Sequence, residues 1–424
     1  MTSAGGGTFA VAWRNLGRNR RRSLLTASAI GFASMLLVFV MNMQGGSYRI
    51  MIDNASRLLT GHVQIQDRRF HDDARIRYYV HDAGARMAAL RAEPDVRVVT
   101  ARAESFAVLS GPERSFGGQV MGVEAAGETA FSLLPEFVAA GRYLSGEAGE
   151  IVVGSALARN LDVGLGDEVV ILGTAPDGSI AAVASTVVGL LHTSQPEVDR
   201  TLAQIPLADF REAFLLDDGA HALVILLDDV RAAPGRAPAL LRVATGAAAT
   251  PANGDAGEAP LIALDWRELL PDLVQLIELD RFTGWFFFLL LALMVTFSIA
   301  NTFMMMIFER THEFGTLLAI GARPGFIIGL LQLESLMLCG LGVLGGTLAG
   351  VALTLVVGSI GIPIDDMGAE LLRQYHLPDR IRPRMTPEAI WSGPLFMLLA
   401  TQIAALLPAL RLLRMEPVVA MREA

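Results

Sequence analysis

The 424 residues are 52% hydrophobic and 18% charged, with a formal net charge of −9 and a positive mean hydropathy. That composition excludes an ordinary soluble enzyme and places the chain among membrane proteins. The single cysteine, Cys339, lies in an apolar run, which excludes a disulfide framework. The absence of lysine excludes a phosphate-cradling P-loop, which must end in Gly-Lys.

Residues 1–23 place Phe9, Trp13 and Leu16 at helical spacing among arginines, predicting an amphipathic helix at the cytoplasmic interface. A helix crosses a bilayer core of about 30 Å in about 20 residues, and the run from Leu24 to Met43 fits one crossing, giving a first span over 24–44. A cleaved signal peptide is disfavoured, because the run is too long and its Ala-x-Ala match, Ala27 to Ala29, sits in the inner half. The apolar stripe Tyr48, Met51, Ile52, Ala55, Leu58 and Leu59 meets no breaker before Gly61, so the helix is predicted to continue beyond the bilayer as a stalk.

Residues 45–283 read as an extracytoplasmic α+β domain. The runs "HVQIQ", "VRVVTARAESFAVLS", "GQVMGV", "EIVVG", "DEVVIL", "IAAVASTVVGLL" and "HALVILLDD" carry strand patterning, whereas "GSALARNLDV" and "LADFREAFLL" repeat at three and four and read as helices. Residues 244–260 are low-complexity and read as a mobile loop. A second stalk, interrupted at Pro271 and Gly284, leads into the second span, 284–308. Then come a cytoplasmic segment at 309–325, a long third span at 326–361, an outer loop at 362–388, a fourth span at 389–411 and a tail at 412–424. The third run reads as one helix because no polar turn divides it. The expected fold is therefore four transmembrane α-helices with a large α+β domain between the first and second. Arginine excess around Arg14 to Arg22, Arg310 to Arg323 and Arg411 to Arg422 places both termini in the cytoplasm.

His312-Glu313 raises the question of a zinc protease motif, but position 316 is Thr where the second histidine would stand, and no metal site is expected. Phe314, Leu317, Leu318 and Gly321 instead form an apolar stripe on a short helix whose first turn carries Glu309, Arg310 and Glu313. By periodicity the helix either rests on lipid headgroups or meets a partner. Glu334 lies about 12 Å into the third span by helical rise. With no His or second acid in the spans to relay a proton, it is expected to partner an arginine or a backbone group. Gly342, Gly346 and Gly350 are expected to pack against the fourth span, with Ala27 and Gly31 left for dimerisation. Phe39, Met41, Met43, Phe286 and Phe287 near the outer ends of the first two spans read as lipid-facing residues and an interfacial belt. No nucleophile, base or metal constellation is expected in the α+β domain, and no nucleic-acid partner is expected.

"FERTHEFGTLLAIGARPGFIIGLLQLE" resembles the turn between the second and third spans of ABC transporter permeases of the MacB, FtsX and LolC/LolE class. Glu309, Arg310, Glu313, Phe314, Gly315, Ala319, Ile320, Gly321, Ala322 and Glu334 carry that likeness. "AWRNLGRNRRRSLLT", "GRYLSGEAGEIVVGSALARNLDVGLGDEVVIL" and "PALRLLRMEPVVAMRE" extend it to both ends and the middle, and "FVMNMQGG" and "GHVQIQ" are similar to LolC/LolE. The resemblance implies a non-catalytic permease of the bacterial inner membrane. It would bind no cofactor itself, because ATP and Mg sit on a separate ATPase, and it would pair with a second permease, identical or paralogous. It also implies a coupling helix formed by Glu309, Arg310, Glu313, Phe314, Gly315, Leu317, Leu318, Ile320 and Gly321, with Phe314, Leu317 and Leu318 filling a groove of the ATPase. Phe39, Met41, Met43, Phe286 and Phe287 would line a cavity for acyl chains. The implied cargo is lipoprotein or lipid-like, handed to a periplasmic carrier. The alternative is an FtsX-like or sensor-type permease that regulates a cell-wall hydrolase or an antibiotic response.

Overall fold

The computed structural model describes residues 14, 20–193, 195–247, 260–363 and 380–410. Most of the amphipathic helix expected at 1–23, most of the loop at 244–260, the greater part of the segment 362–388 and the tail at 412–424 lie outside the described residues. The chain divides into two compact units, with boundaries after Tyr48 and before Ile277.

The helical unit is built on four helices long and apolar enough to cross a membrane, the first Ser23–Thr60 and the others Pro271–Glu309, Pro324–Ile360 and Pro387–Ala409. The first is α-helical over Arg20–Ala55 and closes in a π-helical turn, Ser56–Thr60. At 1.5 Å per residue, 39 residues span roughly 58 Å, about twice a bilayer core, so the second helix has length to spare beyond the membrane. The expected break at Gly284 is absent. Glycine lowers helix propensity by about 1 kcal/mol but creates no clash, and here the missing side chain leaves room for Gln44, which a Cβ would approach to 2.9 Å. The third helix is uninterrupted from Pro324 to Ile360. Ile30, Leu37, Val295, Ile299, Phe303, Leu338, Val343, Met397 and Ala404 form the shared core of the four helices.

The inserted unit is an α+β domain around one mixed sheet. Its strands are β1 Val63–Asp67, β2 Val96–Ser110, β3 Ser115–Val123, β4 Val138–Gly141, β5 Glu150–Gly154, β6 Glu168–Thr174, β7 Ile180–Leu191, β8 Leu202–Pro206, β9 Ala222–Leu227 and β10 Leu261–Asp265. Their order is β10-β1-β9-β2-β3-β8-β5-β7-β4, with β6 joining β2 to β7. All seven expected strands and both expected helices of this domain are present. Three strands, β4, β8 and β10, were not expected, nor were the helices Arg68–Asp72, Ala83–Arg91, Ala125–Phe131, Pro196–Thr201 and Ala233–Gly246. β8 is wholly buried and only five residues long, which leaves no alternation to detect.

The two ends of the domain meet. β1 follows the first long helix, β10 precedes the second, and the two strands pair antiparallel with Val63 opposite Asp265. Trp266 N–H donates to His62 C=O at 3.1 Å, and Asp265 caps the turn that leads to Pro271 through a capping box with Glu268. The core beneath the sheet includes Ile65, Leu109, Val120, Ile151, Leu161, Leu223 and the stacked pair Phe210 and Phe214, whose rings lie 4.3 Å apart. His221 is buried beside them. Its Nδ1 accepts from Glu104 N–H at 2.9 Å, and Nε2 lies 3.0 Å from Ile76 C=O, so the ring is neutral with its proton on Nε2. Burial holds its pKa down at about 4.

Candidate functional site

The elbow between the second and third membrane helices is a sequence of helix stops and starts. Arg310 leaves helical geometry at φ −111°, ψ 13°, and the helix Thr311–Ala319 begins at the next residue. It ends in a Schellman motif, in which Ala322 N–H donates to Leu317 C=O and Gly321 N–H to Leu318 C=O, both at 3.0 Å. That motif requires a left-handed residue, supplied by Gly321 at φ +99°. Arg323 is extended ahead of Pro324, the first residue of the third helix, where a missing N–H does no harm. Four local rules therefore agree on a short, stiff helix between two spans.

Its inward face corrects the expectation for Phe314. The ring is fully buried within this chain, against Ile307, Ile327, Leu331 and Ala409, and Leu318 packs at the same cluster. Phe314 thus anchors the short helix to the membrane bundle and is not free to fill a partner's groove. Gly315 is buried beside it. The outward face carries His312, Glu313, Thr316, Leu317, Ala319 and Ile320. Leu317 is 37% exposed and Ile320 80%, leaving an apolar pair one turn apart with Glu313 at the preceding turn. Periodicity identified the stripe but not which half of it the bundle would claim.

Arg310 ties the elbow together. Its Nε donates to Glu313 at 2.8 Å, its Nη1 lies 3.3 and 3.4 Å from the two oxygens of Glu334, and its guanidinium stands 5.2 Å from the Phe314 ring centroid. Glu334 is 5% exposed, and a carboxylate so placed in a membrane helix needs a counter-charge. The arginine expected as its partner is Arg310.

The glycine stripe of the third helix also has a different neighbour from the one expected. A Cβ at Gly342 would meet Ala27 C=O at 2.8 Å, one at Gly350 would meet Met35 C=O at 2.9 Å, and one at Gly346 would run into the Gly31 carbonyl. The partner is the first membrane helix, and Ala27 and Gly31 are used inside the chain. Small residues face small residues because only there can two backbones approach. The fourth helix receives Leu37 and Met41 at Gly393 instead. Of the five residues expected at an acyl-chain cavity, Met41 packs with the membrane core, Phe39 and Met43 are half-buried, and Phe286 and Phe287 are exposed with rings 6.4 Å apart. The five do not converge on one packing cluster within the chain.

Two features of the α+β domain escaped the sequence. Ser155 Oγ lies 3.3 Å from His192 Nδ1, and Asp199 Oδ2 lies 2.9 Å from the same nitrogen. A nucleophile relay needs the acid and the nucleophile on opposite ring nitrogens, whereas here both stand at Nδ1. Asp199 also accepts from Thr193 N–H and Oγ1 at 2.7 and 2.8 Å. The second feature is an exposed apolar sheet face. Phe106 and Val108 of β2 and Leu172 of β6 line a groove of about 650 Å³ with Arg75 and Arg77. Ile180 at the start of β7 is 83% exposed. Val108 pairs with Leu172 across the strands, placing both on this face.

Residues 23–240 match the family described as the MacB-like periplasmic core domain, and residues 285–417 match the FtsX-like permease C-terminal family. The lipoprotein-releasing system transmembrane protein LolC of Xylella fastidiosa strain Temecula1 is 26% identical over 353 residues, covering 81% of this chain and 82% of that protein. LolC of Neisseria meningitidis serogroup B is 25% identical over 218 residues, covering 50% of this chain and 49% of that protein. Among solved structures, the periplasmic region of MacB from Actinobacillus actinomycetemcomitans aligns with 53% of this chain and 97% of its own length, at 13% identity and a TM-score of 0.36.

Proposed function

We propose that this chain, which belongs to the MacB/FtsX class of ABC transporter permeases, is a non-catalytic subunit that converts ATP hydrolysis on a separate ATPase into movement of its α+β domain. It sits in a bacterial inner membrane with both termini cytoplasmic and the α+β domain periplasmic, and it pairs with a second permease. ATP and Mg belong to the ATPase. The cargo is a lipoprotein or a similar lipid-like molecule, as the name of the LolC relatives says of them.

The observation that carries this reading is the elbow. A nine-residue helix is pinned on one side by Phe314 and Arg310 and presents Leu317 and Ile320 on the other. Such a helix passes on a push that a loose loop would absorb. Closure of the ATPase displaces the short helix together with the ends of the second and third spans. The first two membrane helices are long enough to carry that displacement past the bilayer. In the α+β domain, the exposed Phe106, Val108, Leu172 and Ile180, flanked by Arg75 and Arg77, are offered to the carrier that accepts cargo.

Co-purification tests the reading. The full chain in detergent should retain a Walker-type ATPase, and reporters fused before Leu24 and after Leu410 should both report cytoplasm. Reporters on opposite sides, or a chain that recruits no ATPase, would refute it. Retention of a cell-wall hydrolase or a histidine kinase in place of lipoprotein would replace the cargo with a regulatory role.

A further inference from the structure

The first long helix closes in the π-helical turn Ser56–Thr60, and π-helical turns are rare and concentrate at functional positions. A helix end leaves four carbonyls without intrahelical partners. Here the domain supplies them. Leu133 N–H reaches Arg57 C=O at 3.2 Å, Ser132 Oγ reaches Leu58 C=O at 3.3 Å, and Gln64 Nε2 reaches Thr60 C=O at 2.6 Å. The remaining carbonyl, that of Leu59, accepts from the guanidinium of Arg102.

Arg102 stands in β2, between β3 and β9, opposite Val123 and Ala222. It is 1% exposed. Its Nε donates to Glu128 at 3.1 Å, its Nη2 pairs with the other oxygen of that carboxylate, and its guanidinium stands 4.9 Å from the Phe131 ring centroid. Arg57 returns the connection by donating to Phe131 C=O at 3.1 Å. A buried ion pair is poor at adding stability, because two apolar side chains of similar volume serve as well or better. What apolar side chains cannot supply is a directional bond to the helix carbonyl.

We infer that Arg102, aligned by Glu128, is a positioning residue that locks the end of the first long helix to strand β2, so that displacement of the helix reaches the sheet without loss in a fraying last turn. The inference rests on the mechanical reading proposed above. Glu128 holds the guanidinium in one orientation, and β2, hydrogen-bonded to β3, β6 and β9, spreads the displacement across the sheet.

The test uses the full chain with its ATPase in nanodiscs, comparing wild type with Arg102→Met/Glu128→Leu, a pair chosen to keep the site filled and the domain folded. Spin labels at Ile50→Cys, in the helix, and Glu113→Cys, in the turn after β2, are introduced with Cys339→Ala to remove the native thiol. Wild type should give one narrow distance distribution, unchanged by MgATP and vanadate. The double variant should melt within a few degrees of wild type and give a distribution at least about twofold wider. With a triacylated lipoprotein as probe, its release per ATP should fall at least about tenfold while ATP turnover persists. A narrow distribution in the variant, or wild-type release per ATP despite a wide one, overturns the inference. If neither protein releases lipoprotein, the proposed cargo falls, and the distance distributions still decide whether Arg102 locks the helix.

Discussion

Leu317 and Ile320 form the one apolar pair that the short elbow helix leaves outside, and truncating both to Ser isolates their contribution. Fully burying a Leu or Ile side chain is worth about 1.5–3 kcal/mol. Ile320 is 80% exposed, so roughly 2 kcal/mol remains to be gained there on docking, and Leu317, 37% exposed, adds roughly 1 kcal/mol. The sum, about 3 kcal/mol, corresponds to a loss of roughly 100-fold in affinity for the ATPase. Folded stability should barely move, because exposed substitutions without special contacts stay within about 0.5 kcal/mol. Phe314→Ala should behave in the opposite way, since emptying a buried Phe site costs about 3–5 kcal/mol of stability. The assay is titration of the ATPase onto the full chain in detergent, with a thermal melt of each variant alone. Wild-type affinity in Leu317→Ser/Ile320→Ser would refute the assignment of this face as the docking surface.

Gly346→Val should lower stability by about 3 kcal/mol or more, because the added side chain meets the backbone carbonyl of Gly31, which cannot move aside as a flexible side chain would. Gly345→Ala, where nothing lies within 4 Å, should be neutral or gain up to about 1 kcal/mol in a thermal melt. Glu334→Ala should cost about 1–3 kcal/mol by stranding one side of Arg310, and Arg310→Met combined with Glu334→Met should recover most of it, read in the same melt. His221 carries an acid sensitivity. Its pKa is depressed from 6.5 to about 4 in the folded state, so its neutral form contributes fully above pH 6.5. Stability is lost as pH falls from there to about 4, by roughly 3 kcal/mol in all. His221→Gln should flatten melting temperature against pH across that window.

Much of the architecture is legible without coordinates. Span length and strand alternation are local patterns set by the bilayer and by the periods of helix and sheet. The elbow helix is equally local, because Arg310, Gly321 and Pro324 act on their own backbone and immediate neighbours. β8, five buried residues whose one polar side chain, Gln204, is buried with the rest, carries no such signature.

Which face of a pattern meets which neighbour is a different kind of information. The stripe Phe314, Leu317, Leu318 is visible in sequence, yet only packing against Ile327 and Ala409 decides that Phe314 turns inward and Leu317 stays out. The third helix shows its glycines at four-residue spacing, yet the choice of the first helix over the fourth depends on Ala27 and Gly31, more than 300 residues away in the chain. The joining of Arg102, Glu128 and the Leu59 carbonyl is likewise invisible, because no periodicity relates a helix end to a strand about forty residues later and a short helix further on. Sequence determines periods and boundaries because those depend on each residue and its near neighbours. Tertiary structure decides partners, because burial and charge pairing are settled among all the surfaces competing for them.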